Sequence, residues 1–422
     1  MWSSTFTIAA ADLSGALTDF PIYLNIGATA GKSAFDLRGI FGELGASSLK
    51  LSIKDASNNQ CYVEIVSWDA TNKYAELHFK SSLSNSINNT FTITADNTMA
   101  DNTAYVGVTG STPAKAVWDS GFAAVYHMAD ATTSTILDST SNANPGTKTG
   151  ANNPAAVAGM LGSAQSFNGS TGKVYCGTAA NLNTDAVTVE WYGAPTDLIP
   201  AWPELVARGR WGSENPFGLG VGARGNVYSL FKATTNAGAY WGYTITTAWQ
   251  YLAVSYDSVG GVKTYADAVA KTGAAAAGVL NYTGAAPLYI GWAADNVNVF
   301  HGIIDEVRMS NTPRPTEWIA ATNKTLKDTL VTFESISVSI QAVTATVSAA
   351  ANAPTITAGA LVQAVTALCS GQANPATIHA DATVQAVTAM VTAMANAGYV
   401  FIISKWPITA TLPNRVINIT LE

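Results

Sequence analysis

The sequence predicts an all-β protein with two β-sandwich domains followed by a repetitive β tail. Short runs of alternating apolar and polar residues, bounded by Gly, Asn, Asp or Pro, recur through the first three quarters of the chain. This pattern is typical of antiparallel strands joined by tight turns. Only 12% of the 422 residues are charged, and small and β-branched residues make up the difference. A short sequence then repeats at a fixed spacing near the C-terminus.

The composition disfavours several classes of protein. The net charge of −7, without a long run of Lys or Arg, gives no expectation of a nucleic-acid partner. No apolar run of about 18 residues occurs, so no membrane span is expected. The three cysteines (Cys61, Cys176 and Cys369) form no Cys-x-x-Cys pair and are expected to be isolated buried thiols. No Sec signal is recognisable, so we expect release by lysis or export by another route.

Residues 1–118 are predicted to form the first β domain, with about seven strands. Pro21 lies near the start of one strand, where a missing N–H group is tolerated. The strands are predicted at residues 5–8, 20–26, 49–54, 61–68, 74–80, 90–95 and 104–108. The connection at 115–122 contains little flexible sequence, so the second domain is expected to pack closely on the first.

Residues 119–328 are predicted to form the second sandwich. Its bulkiest stretch, residues 249–308, contains several short strands rich in Val, Ile, Tyr and Trp. In an earlier strand, Val187, Val189 and Trp191 fall on one face because side chains alternate along a strand. Pro315 is well placed to open a short closing helix.

The second domain resembles the concanavalin A-like, laminin G-like sandwiches. The resemblance is carried by residues 249–257 with the Gly turn that follows, and by residues 265–267, 302–308, 124–128 and 137–147. It implies a concanavalin A-like jelly roll over 119–328. Ala268 departs from the pattern, since many relatives have Gly there. Residues 17–21 and 64–69 resemble a small uncharacterised domain that often precedes such sandwiches in bacterial and phage surface proteins.

Residues 329–422 contain three copies of the sequence QAVTA. The copies start at Gln341, Gln363 and Gln385, a spacing of 22 residues. We interpret each copy as about two short strands of a repeating unit. Strands of Ala, Thr and Val bury little surface, so the tail is expected to need neighbours. We therefore predict anchoring or oligomerisation through these repeats.

The sequence lacks the E-x-D-x-x-E run of the glucanases that share this fold. Asp305 and Glu306 are adjacent, so on a regular strand they point to opposite faces. We expect Asp305 to bind backbone groups and Glu306 to be solvated, and we expect no enzymatic activity. The four histidines show no catalytic or metal-binding spacing and are expected to be packed or surface imidazoles: His78, His127, His301 and His379.

The resemblance implies positions for a structural calcium ion, because relatives often hold one with carboxylates and carbonyl oxygens at a loop edge. The candidate ligands are Asp138, Asn142 and Asp305. The alternative is that Asp138 and Asn142 simply form Asx turns. No other cofactor is expected.

A ligand-binding patch is predicted around the loop at 199–217, where aromatic rings would stack on sugars and polar groups would bond hydroxyls. The candidate residues are Trp202, Arg208, Arg210, Trp211 and Trp241. Tyr240 and Tyr243 lie in similar surroundings. Trp241 is equally well explained as a core residue.

These features lead to a functional hypothesis. The chain would be a non-catalytic virion surface or appendage protein of a tailed phage, of the tail-fibre or head-fibre type, that binds host surface glycan or protein. The repeats would attach it to other virion proteins and form a homo-oligomer, with a trimer favoured. The alternatives are a structural capsid decoration or tail-assembly protein, a polysaccharide depolymerase, and a bacterial surface adhesin.

Overall fold

The computed structural model describes most of residues 1–333 and isolated strands beyond them. The described ranges are 1–149, 153–197, 202–209, 217–222, 225–233, 236–276, 278–282, 286–292 and 299–333, together with the tail strands given below. The protein is all-β. It divides into two compact units, Met1–Ser335 and Ile336–Glu422.

The first part of the chain forms a sandwich of two four-stranded sheets, and all seven strands predicted for it are present. The strands are β1 (Trp2–Ile8), β2 (Leu17–Ile26), β3 (Leu51–Asp55), β4 (Val63–Asp69), β5 (Tyr74–Leu83), β6 (Asn89–Ala95) and β7 (Val106–Val108). One sheet has the order β2-β5-β4-β7, and the other contains β1, β6 and β3. Two short helices, α1 (Gly39–Leu44) and α2 (Thr112–Lys115), lie in the connections.

The next part of the chain contributes sixteen strands to a larger sandwich. They are β8 (Phe122–Tyr126), β9 (Thr135–Ile136), β10 (Gly146–Thr149), β11 (Ala155–Ala158), β12 (Ser163–Asn168), β13 (Lys173–Tyr175), β14 (Val187–Pro195), β15 (Glu204–Arg208), β16 (Phe217–Val221), β17 (Asn226–Lys232), β18 (Asn236–Thr244), β19 (Gln250–Asp257), β20 (Gly261–Ala266), β21 (Val269–Ala270), β22 (Leu288–Ile290) and β23 (His301–Ser310). The helix α3 (Thr316–Leu326) follows, as predicted.

Two eight-stranded sheets form this second sandwich. The sheet that we call the outer sheet has the order β18-β17-β16-β15-β22-β13-β10-β9. The other, the inner sheet, has the order β11-β12-β23-β14-β19-β20-β21, and β8 also pairs with β23. Val187, Val189 and Trp191 are buried in the core between the sheets, which confirms the predicted alternation.

The inner sheet packs against the first sandwich, as the stiff connection predicted. Tyr192, Tyr251 and Tyr265 project from it into one hydrophobic cluster with residues of the first sandwich. The helix α3 joins this contact, because the Trp318 ring lies 4.9 Å from the Phe20 ring. The two sandwiches therefore share a continuous buried junction.

After α3 the chain returns to the first sandwich. The strand β24 (Thr332–Phe333) lies in the range assigned to the repeats, yet it pairs with β1, so that this sheet has the order β24-β1-β6-β3. Phe333 is buried and its ring lies 5.3 Å from the ring of Phe6. The boundaries at 118 and 328 stay predictions.

The tail contains two parallel three-stranded sheets and a hairpin. The strands are β25 (Ala350–Ala351), β26 (Thr355–Ala360), β27 (Leu368–Ala373), β28 (Thr377–Ala382), β29 (Met390–Ala393), β30 (Val400–Ile403), β31 (Ile408–Leu412) and β32 (Arg415–Ile419). The sheets have the orders β25-β27-β29 and β26-β28-β30. Thr355 pairs with Thr377, one 22-residue repeat later. The three QAVTA copies lie outside the described residues.

No described helix is long and apolar enough to cross a membrane.

We predict that Phe333→Ala destabilises the first sandwich by about 3 kcal/mol or more, because it removes a buried ring from a close-packed core. Urea denaturation of the full chain measures this loss. Val259→Ala, at a residue that is 90% exposed, is the control and should change stability by less than about 0.5 kcal/mol. Equal stability of the two variants would show that the chain does not return to the first sheet.

Candidate functional site

Three aromatic side chains form a surface patch at one end of the outer sheet. We call Trp202, Tyr228 and Tyr240 the aromatic patch. Tyr228 and Tyr240 lie directly opposite each other on β17 and β18. The Trp202 ring lies 5.6 Å from that of Tyr228 and 6.4 Å from that of Tyr240. Trp202 is 37% exposed and Tyr240 57% exposed, whereas Tyr228 is buried beneath them.

Neighbouring residues fix the shape of the patch. The Tyr228 hydroxyl donates to Glu204 Oε1 at 2.8 Å. A side chain at Gly220 would lie 2.6 Å from that hydroxyl, and one at Gly222 would lie 3.0 Å from the Trp202 ring. Trp202 itself has a φ of +75°, a conformation that side-chain-bearing residues rarely adopt. Backbone strain of this kind concentrates at functional sites.

A second aromatic group lies on the same face of the outer sheet. Tyr175 and Tyr289 are paired on β13 and β22, with ring centroids 5.5 Å apart. The Tyr289 ring contacts Trp292, and Lys173 Nζ lies 3.5 Å from the Trp292 centroid. On this face, the strands between the two groups carry Gly218 and Gly220 on β16, and Glu204 and Ala207 on β15. Tyr228 and Tyr289 are three strand spacings apart, or about 14 Å across the sheet.

The structure places the predicted ligand-binding residues in different surroundings. Trp202 is part of the patch, and Arg210 and Trp211 lie outside the described residues. A surface role for Arg208 and Trp241 is wrong, because each is only 1% exposed. Arg208 pairs with Phe217 and Leu288 and so faces the core, where it donates to Gly177 O.

Trp241 is a core residue, the alternative that the sequence left open. Its Nε1 donates to Ser229 Oγ inside the sandwich. Sequence reasoning missed Tyr228, Tyr175 and Tyr289. The signal for Tyr228 was available, because it alternates with Val227, Ser229 and Phe231, which face inward.

A cluster of buried charges occupies the junction between the sandwiches. We call Glu64, His78, His127, Glu306 and Arg308 the junction cluster; all five are at most 4% exposed. His127 Nδ1 lies 2.8 Å from Glu306 Oε2, and His127 Nε2 lies 3.4 Å from Glu64 Oε2. Arg308 Nε donates to Glu306 Oε1 at 2.7 Å. Arg308 Nη2 lies 3.3 Å from His78 Nε2.

The electrostatics of the cluster are balanced. Burial opposes protonation of His127, but Glu306 and Glu64 outweigh it and hold the pKa of His127 well above its usual value. Burial would raise the pKa of Glu306, but His127 and Arg308 hold it below its usual value. Burial, together with the two neighbouring cations, lowers the pKa of His78 well below its usual value. The cluster therefore holds two carboxylates and two cations, with His78 neutral.

The donor atoms of His78, His127 and Glu306 all lie within 4.8 Å of one another, which raises the question of a metal ion. The two imidazole rings, however, are stacked with centroids 4.6 Å apart and an interplanar angle of 20°. A metal ion binds in the plane of an imidazole, so two stacked rings cannot both bind it. The Arg308 guanidinium adds a repelling charge. This geometry fits an ion-pair network and does not fit a metal site.

The structure corrects the interpretation of Asp305 and Glu306. The register between β14 and β23 shifts at Tyr192, which leaves Asp305 as an extra residue in a β-bulge. Because Ile304 and Val307 both face the core of the second sandwich, Asp305 and Glu306 both lie on the side of the first sandwich. The expectation of opposite faces is therefore wrong, and so is that of a solvated Glu306.

The candidate calcium ligands make contacts within the protein. Asp305 Oδ2 accepts the N–H groups of Met160 and Leu161, which confirms that it binds backbone. Asp138 Oδ1 accepts the N–H of Thr140, so the Asx turn is present. The Asn142 amide donates to the carbonyl oxygens of Phe122 and Ala123. The calcium ion stays a prediction.

A comparison with protein families finds a match over residues 167–320. The matching family is a laminin G type, described as the concanavalin A-like lectin/glucanases superfamily. This part of the chain is therefore similar to concanavalin A-like sandwiches. The comparison confirms the resemblance seen in the sequence. No curated protein matches the chain.

Several solved structures are similar to the chain at low identity. Domain 4 of AbnA, a GH43 extracellular arabinanase from Geobacillus stearothermophilus, in complex with arabinotriose, is 22% identical with a TM-score of 0.39, over 47% of this chain and 96% of that one. The binding domain of Paraclostridial Mosquitocidal Protein 1 is 13% identical with a TM-score of 0.40, over 48% and 52%. The CBM40 domain of a Ruminococcus gnavus IT-sialidase, bound to α2,3 sialyllactose, is 15% identical with a TM-score of 0.30, over 34% and 84%.

We predict that Asp305→Asn changes how stability depends on pH. Burial raises the pKa of Asp305 to about 7, although two N–H groups lower it. Between about pH 4 and pH 7 the folded state therefore keeps a proton that the unfolded state has lost. As the pH rises through this window, the stability of the wild type should fall relative to that of the variant by up to about 1.4 kcal/mol per pH unit.

Urea denaturation of both proteins between pH 4 and pH 8 measures the difference, with Asp101→Asn at an exposed position as the control. The Asn side chain can still accept both N–H groups, so the fold should persist. A constant difference across the window would contradict the raised pKa. Stabilisation of the wild type by added calcium, absent in the variant, would instead support the calcium site.

Proposed function

We propose that the second sandwich binds glycan through the aromatic patch. The observation that supports this most directly is the pair of exposed rings, Trp202 and Tyr240, held edge to face on the outer sheet. Aromatic rings offer large, rigid apolar faces with a polar edge, which suits the C–H faces of a sugar ring. The matching superfamily includes lectins, which is consistent with this role.

The second aromatic group extends the proposed surface. Tyr175 is 37% exposed and lies on the same face as the aromatic patch. Its hydroxyl and the Lys173 ammonium offer polar contacts beside an apolar ring. A glycan of several sugar units would contact both groups, while a single sugar would contact only one.

We further propose that the protein is non-catalytic. Glycoside hydrolysis generally uses two carboxyl groups on either side of the scissile bond. Within the eight strands of the outer sheet Glu204 is the only acidic residue, and it is buried against the Tyr228 hydroxyl. Asp305 and Glu306 are buried in the junction, away from the outer sheet.

We predict that Trp202→Ala and Tyr240→Ala each weaken glycan binding at least tenfold, which corresponds to about 1.4 kcal/mol. Each variant removes an exposed ring, so the fold should be unaffected. A glycan array with the full chain identifies ligands, and calorimetry with the best one measures the loss. Gly222→Ala should also weaken binding, because the added methyl group displaces the Trp202 ring.

The matched control is Tyr62→Ala. Tyr62 is an equally exposed ring that contacts Tyr105 on the first sandwich. Equal effects of Tyr62→Ala and Trp202→Ala would refute the aromatic patch as the binding site. Release of reducing ends from a bound polysaccharide would favour the depolymerase alternative.

We also propose that the chain is displayed on the surface of a phage particle and attached through its repeats. The support is the tail, in which strands from successive repeats pair in parallel. Small-residue strands of this kind gain stability from stacking on neighbours. In this arrangement the sandwiches would face the host.

Electron microscopy of purified particles labelled with antibodies against the first sandwich tests this location. We expect label at regular positions on the capsid or the tail. Label on the cell envelope, with none on particles, would favour the bacterial adhesin. Labelled particles that adsorb equally well after antibody blocking would favour a purely structural subunit.

A further inference from the structure

His127 lies between carboxylates from two different sandwiches. Glu306 belongs to β23 of the inner sheet, and Glu64 belongs to β4 of the first sandwich. Each ring nitrogen of His127 faces one of these carboxylates. A neutral imidazole has one N–H donor and one acceptor, whereas the imidazolium ion donates from both nitrogens. Only the protonated ring therefore satisfies both carboxylates.

Apart from His127, Glu306 has a charged partner, whereas Glu64 has only neutral ones in the part of the chain that the structure describes. Glu306 also has the Arg308 guanidinium, at 2.7 Å. Among the described residues, His127 is the only cation paired with Glu64. The remaining hydrogen bonds to Glu64 come from neutral groups, the Trp118 indole and the Ser139 and Thr109 hydroxyls. Deprotonation of His127 would leave Glu64 buried without a counter-charge, which is strongly unfavourable.

Other titratable groups also act on His127. His78 stacks on its ring at 4.6 Å from β5 and adds no charge while it is neutral. The electrostatic neighbours of His127 further include Glu76 on β5, Asp305 on β23 and Asp130 in the loop after β8. Any of these that is ionised favours the protonated ring. The cationic Arg308 opposes it.

Solvent can reach the edge of the ring. A cleft of about 160 Å³ opens at the junction, with His127 in its wall. Both sandwiches line it, through Val66, Thr109, His127, Ala129, Asp130 and Leu137. A proton can therefore exchange at His127 without separation of the sandwiches.

We propose that the proton on His127 is a switch for the docking of the two sandwiches. While the imidazolium ion bridges Glu64 and Glu306, the junction is closed and the second sandwich is held in a fixed orientation on the first. Loss of the proton leaves one uncompensated negative charge in the junction and loosens it. The inference is independent of the proposed glycan binding.

The direction of the pH dependence follows from the environment of the ring. The folded-state pKa of His127 is raised above that of the unfolded chain. Its contribution to stability is therefore complete below the unfolded value of about 6.5, and is lost as the pH rises through the folded value. The junction should be closed at neutral pH and loosen under alkaline conditions.

Nitrogen-15 NMR of the histidine side chains in the full chain tests the proposal. We expect His127 to carry protons on both nitrogens at pH 7 and to lose one only at alkaline pH. The Trp118 indole signal should move at the same midpoint, because that indole donates to Glu64 at 2.6 Å. Calorimetry should show a lower melting temperature of the junction above this midpoint.

Glu64→Gln supplies the decisive variant. It keeps the size of the side chain but removes the charge and replaces one acceptor oxygen with an NH2 donor, so the His127 midpoint should fall by about one to three pH units. The alkaline loosening seen by calorimetry should be lost or strongly reduced, because deprotonation of His127 then leaves no uncompensated carboxylate in the junction cluster. His301→Gln is the control, because His301 pairs with the surface residue Asp197 at 2.7 Å and lies outside the cluster.

Three outcomes would overturn the switch. One is a neutral His127 at pH 7 in the wild type. Another is deprotonation of His127 with no change in the Trp118 signal or the melting temperature. The third is a Glu64→Gln protein that still loosens as the wild type does. If that variant fails to fold, the wild-type titration alone decides.

Discussion

The inner sheet of the second sandwich has large side chains on both faces, and this constraint organises Met1–Ser335. One face carries Trp191 and its neighbours into the core between the two sheets. The other face carries Tyr192 and Tyr251, which would be exposed if the second sandwich stood alone. A sheet that is apolar on both faces must be covered on both. The first sandwich supplies the second cover, so the two sandwiches form one body.

The same packing draws charge into the interior. Glu306 lies opposite Tyr192 and Arg308 lies opposite Glu190 on the neighbouring strand, so both charged side chains face the first sandwich. Buried charges are tolerated only when they are paired and hydrogen-bonded. The first sandwich contributes Glu64, and the bridging His127 completes the balance. Apolar packing and a balanced set of buried charges therefore occupy the same junction.

Local pattern predicted much of this fold, and long-range pairing decided the rest. The strand containing Val187 and the helix after Pro315 could be recognised because their signals lie within a few residues. The inward direction of Arg208 could not, because it depends on pairing with Phe217 and Leu288. The bulge at Asp305 and the return of Phe333 to β1 likewise depend on partners far away in the sequence. Trp202 was found because it lies in a loop-like segment, where an aromatic ring was expected to reach the surface.

With the inner sheet covered on both faces, the proposed glycan binding falls to the outer sheet. Its inward residues are committed to the core, and the face directed away from the core carries the aromatic residues in two groups. Between these groups the chain places Ala207 and Gly218, whose side chains add almost nothing to the surface. Among these rings, Trp202 is held in a backbone conformation with a φ of +75°, which side-chain-bearing residues rarely adopt. The strain at Trp202 and the rings around it therefore support the proposal that this end of the outer sheet binds glycan.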